Sequence, residues 1–345
     1  MNTVEFSPWR FERAAGEMAR IDSGAPIDRI VLYSQQEWEY TIFKYFDDLV
    51  NYSDKHNIPF YIVPSTSSYV APLYDTADSR FRNVTIQHWG TYFLSDLLSY
   101  LAVTNDYLTV NPETYTYPFI SMNSKPHVHR SLMMDTLAKY NVIDEGAISW
   151  LETPYENEVI KEGMLTSVSR GYRYKYWTPV IKKLTERSEE VFNYYHVPAE
   201  YLHAFAQLVV ESSTDNQQVS EKTWMPVLYK KPFLTLAARN HHALLQDYGL
   251  LLYDELFDYS FDSEPDSALR AESIARNFQR LVNMSRSERD SLYTRMLPKI
   301  EHNYNLATDM ATDINRIPGV VLEAAKDHTN MYCSRNVIDF IKSKK

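Results

Sequence analysis

The residues with the clearest chemical potential lie in the stretch 208–239, at the junctions between apolar and polar segments. Glu211 directly follows an apolar run, and a carboxylate at the carboxyl end of a strand is well placed to meet a ligand. Ser220 is a plausible N-cap for a helix that opens with Glu221 and Lys222. The free N–H groups and positive dipole of that first turn attract phosphate, Lys222 adds a charge, and Glu221 could accept two ribose hydroxyls. The alternative is an ordinary capped helix with a surface Glu–Lys pair.

These residues are positioned by a strand, a polar loop, a helix and a second strand at 232–234, which is one unit of a parallel sheet. An upstream unit has the same organisation, with a strand over 117–123 and a helix over 128–140. Asn123 ends that strand and Arg130 lies early in the helix. Because ligands of open α/β sheets bind at the carboxyl ends of the strands, both units predict polar groups at one edge.

The remaining sequence predicts an α/β fold throughout. Residues 1–27 are interpreted as a peripheral helix and lead-in. Strands are predicted at 29–33, 59–63, 84–89 and 146–150. Helices are predicted at 37–52, 91–101, 199–206, 243–248, 268–283 and 286–315, with one or two more in 319–345.

A chain of 345 residues predicts two domains. We place an N-terminal α/β domain at 1–117 and a C-terminal α/β domain at 118–315. The helical tail 316–345 is expected to pack back on the N-terminal domain.

Composition excludes several classes of protein. The net charge of −10 argues against a protein that coats nucleic acid, since phosphate binding needs a positive field. A single cysteine, Cys333, excludes an internal disulfide and a cysteine-rich zinc site. No apolar stretch is long enough to span a membrane, and the N-terminus lacks the apolar core of a signal peptide, so the default expectation is cytoplasmic. Neither GxGxxG nor a Walker loop is present.

Two motifs resemble a known family. The pattern ESS, SEKTW, KPF over 211–233 resembles the donor-binding signature of the α1,3-fucosyltransferase-type glycosyltransferases. The upstream segment, with the strand FISMN, then Arg130, a helix and DEG at 144–146, resembles a second segment of that family. The resemblance covers about 118–262. Ser212 stands where the family has Asn, and Val210 stands where the family has Phe. These departures leave the base and the sugar of the donor open, so the expected donor is a GDP- or UDP-linked sugar.

The resemblance implies a GT-B arrangement, in which two Rossmann-like domains face each other across a cleft and the C-terminal domain holds a nucleotide-sugar. It implies that Glu211 and Ser213 contact the ribose or sugar, and that Glu221 contacts the ribose. Lys222 and Arg130 would contact the diphosphate, with Asn123 and Ser220 at the same edge. These cations would neutralise the leaving group without a metal, and no DxD motif is present in a suitable loop.

An inverting transfer needs a general base for the acceptor hydroxyl, expected from strand ends of the N-terminal domain. The candidates are Glu37, Glu39, Asp75 or Asp78, and His88. Glu37 ranks first. The alternative interpretation of Glu37 is a carboxylate at the start of a helix, where the helix dipole favours negative charge.

Three other features admit more than one interpretation. His127 and His129 flank Arg130 as a His-x-His pair, but no ligand-spaced partner supports a metal site. The pair at 241–242 is expected to cap a helix or border the sugar pocket. The segment 170–177 interleaves basic and aromatic residues, as single-strand nucleic-acid platforms do, and could hold donor phosphates or acceptor through Arg170, Arg173 and Lys175, with Tyr172 and Trp177 for stacking.

The predicted function is that of an inverting, metal-independent glycosyltransferase that moves a sugar from a nucleotide-sugar to a hydroxyl acceptor, without a separate cofactor. One alternative within this class is transfer to hydroxymethylated nucleobases in DNA, supported by the segment 170–177 and opposed by the net acidity. The alternative from another class is a non-catalytic nucleotide- or glycan-binding module.

Overall fold

The computed structural model describes residues 2–6, 11–34, 39–65, 79–104, 115–123, 127–150, 199–326 and 334–343. The strands of these residues form two four-stranded sheets with parallel pairing, flanked by helices, which confirms the α/β class. The chain divides into two compact units. The first contains Met1–Ser99 and Asp309–Lys345, and the second contains Tyr100–Thr308.

The strands are β1 (Thr3–Phe6), β2 (Arg29–Ser34), β3 (Phe60–Pro64), β4 (Val84–Ile86), β5 (Tyr117–Asn123), β6 (Ala147–Trp150), β7 (Ala204–Val210) and β8 (Phe233–Leu236). The helices are α1 (Phe11–Asp22), α2 (Glu39–His56), α3 (Tyr92–Thr104), α4 (Val128–Lys139), α5 (Ala199–Leu202), α6 (Glu221–Leu228), α7 (His241–Asp247), α8 (Ser267–Asn283), α9 (Arg286–Thr312), α10 (Gly319–Lys326) and α11 (Ser334–Ser343). Within the described ranges, none of these helices is both long and apolar enough to cross a membrane.

The first sheet has the strand order β1-β2-β3-β4. Its register places Val4 beside Ile30, Ile30 beside Phe60, and Phe60 beside Val84. All four side chains are buried, because strands covered on both faces carry apolar residues at nearly every position. All four residues of this row belong to one hydrophobic core of the first unit.

The strand β1 corrects the prediction for residues 1–27, which described only a helix and a lead-in. A helix is present, but Thr3–Phe6 precedes it as a strand paired with β2. A run of four residues is too short for its periodicity to distinguish a strand from a lead-in. Pairing with the neighbouring strand, which the sequence does not display, decides its conformation.

The segment after Asp309 belongs to the first unit. The hydroxyl of Ser95 donates to the carbonyl of Ala311 (2.9 Å). The buried guanidinium of Arg29 forms an ion pair with Glu323 (2.9 Å). The divisions of the chain therefore lie near residues 99 and 308, where the sequence suggested 117 and 315.

The second sheet has the strand order β6-β5-β7-β8. Helices α4 and α8 pack against it, and the rings of Phe119 on β5 and Phe278 on α8 lie 4.8 Å apart. Gly146 lies against the same ring, since a Cβ at this position would come within 2.3 Å of Phe119 Cζ. The glycine therefore allows the start of β6 to approach the β5 side chain closely.

The predicted helix over 199–206 is wrong in its second half. Helix α5 ends at Leu202, and the strand β7 begins at Ala204 with every residue buried. A fully buried strand has a continuous apolar sequence, which periodicity alone cannot distinguish from a buried helix. The carbonyl of His203 marks the change, because it accepts bonds from the N–H groups of Thr116 (2.7 Å) and Tyr117 (3.0 Å).

Candidate functional site

The second sheet contains a topological switch point between β5 and β7. The chain runs from β5 to β6 on one side and then returns to β7 on the other side. Connections that leave two neighbouring strands in opposite directions create a crevice at the carboxyl ends of those strands, and ligands of such sheets bind there. Asn123 ends β5 and Glu211 directly follows β7. The two predicted units therefore contribute to one edge of one sheet.

Two helices begin at this edge. Helix α4 follows β5 and starts at Val128, and α6 follows β7 and starts at Glu221. Ser220 is the N-cap of α6, as predicted, and its hydroxyl accepts from the N–H of Lys222 (3.2 Å). Both first turns present backbone N–H groups, which carry partial positive charge and attract anions.

The carboxylate of Glu211 is buried and is occupied by donors of its own chain. One oxygen accepts from Ser220 N (3.1 Å) and Thr223 Oγ1 (2.6 Å). The other accepts from Ser212 N (3.2 Å) and Ser220 Oγ (2.6 Å). A carboxylate has about four acceptor positions, and all are used here. Glu211 therefore closes the polar loop, which we define as Glu211 to Ser220, rather than presenting oxygens to a ribose or sugar as the resemblance implies.

Glu211 is negatively charged in spite of its burial. Burial alone would raise the pKa of this carboxyl, but the charge of Lys222, a smaller influence of His241 and the hydroxyls of Ser220 and Thr223 together lower it. A buried charge is tolerated only when it is paired and hydrogen-bonded. Glu211 and Lys222 thus stabilise each other's charged form at the start of α6.

Glu221 and Lys222 are partly accessible to solvent. Their side chains form an ion pair (2.6 Å) and are 22% and 25% exposed, respectively. The ammonium group also donates to Ser212 Oγ (3.0 Å). Ser212, which stands where the resembled family has Asn, therefore positions Lys222. The ammonium is therefore fixed at the N-terminus of α6.

Ser213 is partly exposed and shapes the polar loop. Its hydroxyl oxygen accepts from the N–H groups of Asp215 (3.1 Å) and Asn216 (3.2 Å). Such a turn leaves the hydroxyl proton available as a donor. The predicted contact with a ligand thus requires Ser213 to donate.

Asn123 and Arg130 lie at the switch point but are buried. The amide of Asn123 donates to Ser121 Oγ (3.1 Å) within β5. Arg130 is in the first turn of α4. Arg130 is therefore a buried charge near the N-terminus of α4 and contributes to the electrostatic field there from within the protein.

Sequence reasoning missed two residues that hold the polar loop. The ring nitrogen Nε2 of His129 lies 2.8 Å from the carbonyl oxygen of Glu211. Arg270 donates to the carbonyls of Thr214 (3.0 Å), Glu264 (2.7 Å) and Pro265 (2.9 Å). The sequence indicated His129 only as part of a His-x-His pair. Nothing in the sequence indicated a role for Arg270, because its partners are backbone atoms distant in sequence.

The two histidines at the start of α7 differ in their surroundings. His242 is held between the N–H of Thr235 (3.3 Å) and the carboxylate of Asp262 (2.8 Å). His241 is buried, and neither of its ring nitrogens has a hydrogen-bond partner in the described part of the chain. Burial, with the neighbouring His242, lowers the pKa of His241 to about 4, so this ring is neutral at pH 7.

Lys231, the first residue of the KPF pattern, lies at the opposite edge of the sheet. Its ammonium group is buried, donates to the carbonyl of Ala204 at the start of β7 and lies over the ring of Tyr201 (5.0 Å). Burial lowers the pKa of Lys231 to about 7. This part of the motif is therefore a core contact.

The remaining predicted residues belong to the first unit or lie outside the described residues. His88 follows β4 and is exposed, and desolvation of its ring lowers its pKa from the ordinary value of 6.5. Glu37, Asp75 and Asp78 lie outside the described residues, as do Arg170, Tyr172, Arg173, Lys175 and Trp177. The described ranges contain no cluster of three or more His, Cys, Asp or Glu side chains suited to a metal ion.

A comparison of the chain with protein-family models, curated proteins and solved structures finds no match.

Proposed function

We propose that this protein is a glycosyltransferase that moves a sugar from a nucleotide-sugar to a hydroxyl acceptor. The observation that carries the proposal is the convergence of two helix N-termini and the fixed ammonium of Lys222 at the switch point between β5 and β7. A diphosphate has the charge and the acceptor oxygens that such a site binds. The resemblance of the motifs over 118–262 to the α1,3-fucosyltransferase-type family supports the same substrate class.

Within this proposal the donor diphosphate lies against the first turn of α6. Lys222 pairs with the phosphate oxygens, and Glu221 accepts ribose hydroxyls. Arg130 adds positive potential from beneath the edge. Glu211 does not touch the donor, and it holds the loop in which Ser212 positions Lys222.

The proposed reaction inverts the anomeric carbon. The acceptor oxygen attacks that carbon opposite the diphosphate, the new C–O bond forms, and the electron pair of the breaking bond leaves with the diphosphate. The developing charge is stabilised by Lys222 and by the N–H groups of α6, which are positioned before the reaction starts. In this scheme, protein cations supply the neutralisation that a metal supplies in other transferases.

The proposed GT-B arrangement assigns the general base to the first unit. Glu37 and His88 are the candidates for accepting the acceptor's proton. The lowered pKa of His88 keeps its ring neutral at pH 7, the state that a general base needs.

Calorimetric titration with UDP, GDP and ADP tests the donor site, and a donor-hydrolysis assay tests turnover. We expect one nucleoside diphosphate to bind. Lys222→Ala should weaken its affinity by about tenfold to a hundredfold, since a charged hydrogen bond contributes about 1.5–3 kcal/mol. Glu221→Ala should also weaken it, through the lost ribose contacts.

Lys139→Ala is the matched control for these variants. Lys139 also forms a 2.6 Å ion pair with a glutamate, Glu272, but at the far end of α4. Its loss should leave donor affinity unchanged. The proposal fails if no nucleoside diphosphate binds, or if Lys222→Ala and Glu221→Ala both keep wild-type affinity. Binding without any turnover would contradict the transferase activity and leave a binding module.

A further inference from the structure

One hydrogen bond crosses the switch point between the two halves of the site. His129 lies in the first turn of α4, and its Nε2 is 2.8 Å from the carbonyl oxygen of Glu211, at the end of β7. A carbonyl oxygen can only accept, so Nε2 carries a proton and is the donor. In the neutral ring the other nitrogen, Nδ1, is then an acceptor.

This bond lies where the sheet itself ceases to connect the two strands. The last register pair between β5 and β7 joins Ile120 to Gln207, although the strands continue to Asn123 and Val210. On its other side Glu211 is still tied to the sheet, because its N–H donates to the carbonyl of Leu236 (3.0 Å). His129 therefore supplies the connection from Glu211 towards α4.

We infer that His129 is a positioning residue that holds the polar loop against α4. It thereby keeps Lys222, on the helix after β7, and Arg130, on the helix after β5, in fixed relative positions for one ligand. The effect on donor affinity rests on the proposed function, whereas the effect on the loop does not. Glu211 connects His129 to α6, because its backbone carbonyl is held by His129 and its carboxylate holds Ser220 and the start of α6.

Burial and the neighbouring charges favour a neutral His129 ring, which donates through Nε2. Burial, followed by the charge of Arg130, lowers the pKa of His129 to about 4, while Glu211 and Asp215 act in the opposite direction. His127 stacks on His129 with the ring centroids 5.6 Å apart and the planes nearly parallel. Because Nε2 is committed to the carbonyl, His129 is not available as an Nε2 metal ligand in this arrangement.

Two substitutions separate the role of Nε2 from the bulk of the ring. In His129→Gln, the amide nitrogen reaches the position of Nε2 and can donate to the Glu211 carbonyl. In His129→Asn, the shorter amide reaches only the position of Nδ1, so the bond is lost. His302→Asn is the matched control, since His302 also contacts a backbone carbonyl, that of Gly249 (3.0 Å), on the exposed side of α9.

The first readout is hydrogen exchange of the amides of the polar loop in the whole protein. His129→Asn should raise their exchange rates about tenfold, because losing one hydrogen bond of about 1.4 kcal/mol favours local opening by that factor. His129→Gln should restore slow exchange, and His302→Asn should not affect the loop. Unchanged exchange in His129→Asn, or equal effects of Asn and Gln, would overturn the inference.

The second readout is the affinity for the nucleoside diphosphate that the wild-type protein binds. We expect His129→Asn to weaken binding about tenfold and raise the donor KM by the same factor, with kcat changed less than about threefold. The inference also requires that His129→Gln restores the wild-type affinity for the nucleoside diphosphate. If the wild-type protein binds no nucleoside diphosphate, the proposed function fails, whereas the exchange measurements still decide the role of His129.

Discussion

Replacing Glu211 by Gln tests the network that closes the polar loop. The variant keeps the size of the side chain, removes its negative charge and exchanges one acceptor oxygen for a nitrogen that only donates. In either orientation of the amide, the backbone N–H that faces its nitrogen, Ser212 N or Ser220 N, loses its acceptor. The hydroxyl on the same side, Ser220 Oγ or Thr223 Oγ1, can turn and accept from the amide.

The size of the effect follows from these contacts. A buried N–H left without an acceptor costs about 1–3 kcal/mol, and each of the three remaining bonds is weakened by about 1 kcal/mol because its partner is no longer charged. Relief from burying a carboxylate offsets part of this loss. We therefore expect Glu211→Gln to lower the free energy of unfolding of the second unit by about 3 kcal/mol. This is a large share of the stability of an ordinary domain.

Urea unfolding, followed by hydrogen exchange of peptides from β7 and α6, measures this change within the second unit. Glu145→Gln is the control, because Glu145 is exposed at the end of the turn Ile143–Glu145 before β6. Since the pKa of Glu211 is lowered on folding, its contribution is present above its ordinary pKa of 4.5 and is lost as the pH falls below that value. Wild type and variant should therefore converge in acid. A loss below about 1 kcal/mol at pH 7, or equal to that of the control, would refute the role given to Glu211.

Two further predictions concern the packing of the second unit. Gly146→Ala should destabilise it by about 1–3 kcal/mol in urea unfolding, because the new Cβ would overlap the ring of Phe119; Gly16→Ala, where nothing lies within 4 Å, is the control and should not destabilise. His241→Phe should leave stability at pH 7 unchanged or raise it, because the buried ring nitrogens have no partner among the described residues. Its pKa of about 4 lies below the unfolded value of 6.5, so the wild type loses stability as the pH falls from 6.5 to 4, by about 1.4 kcal/mol for each pH unit, whereas the variant lacks this loss. Identical pH profiles of unfolding for wild type and His241→Phe would contradict this account.

Much of the fold could be predicted because its strands are apolar runs bounded by turn residues. The strand over 117–123 was placed at its observed limits, and the helix over 268–283 within one residue. Two of the failures have the same physical cause. Thr3–Phe6 and the residues from Ala204 onwards have local sequences that suit more than one structure, and pairing with neighbouring strands decides between them.

The candidate site was predictable in position and not in detail. Glu211 could be placed at the end of a strand, because the apolar run before it is visible in the sequence. Its role depends on whether its oxygens find donors, and those donors, on Ser220 and Thr223, become neighbours only when α6 folds back over the loop. The same holds for Arg270, whose partners are backbone carbonyls and so leave no trace in residue types.

The division of the chain has a consequence for the order in which the units form during synthesis. The second unit is continuous, so it can fold once Thr308 has left the ribosome. The first unit begins earlier but takes its last contacts from Ala311 and Glu323, which are made later. The four strands of its sheet are therefore synthesised first, but the contacts of the late segment with Ser95 and Arg29 form only after the second unit has left the ribosome. Premature termination near residue 308 would release a complete second unit attached to a first unit that lacks these contacts.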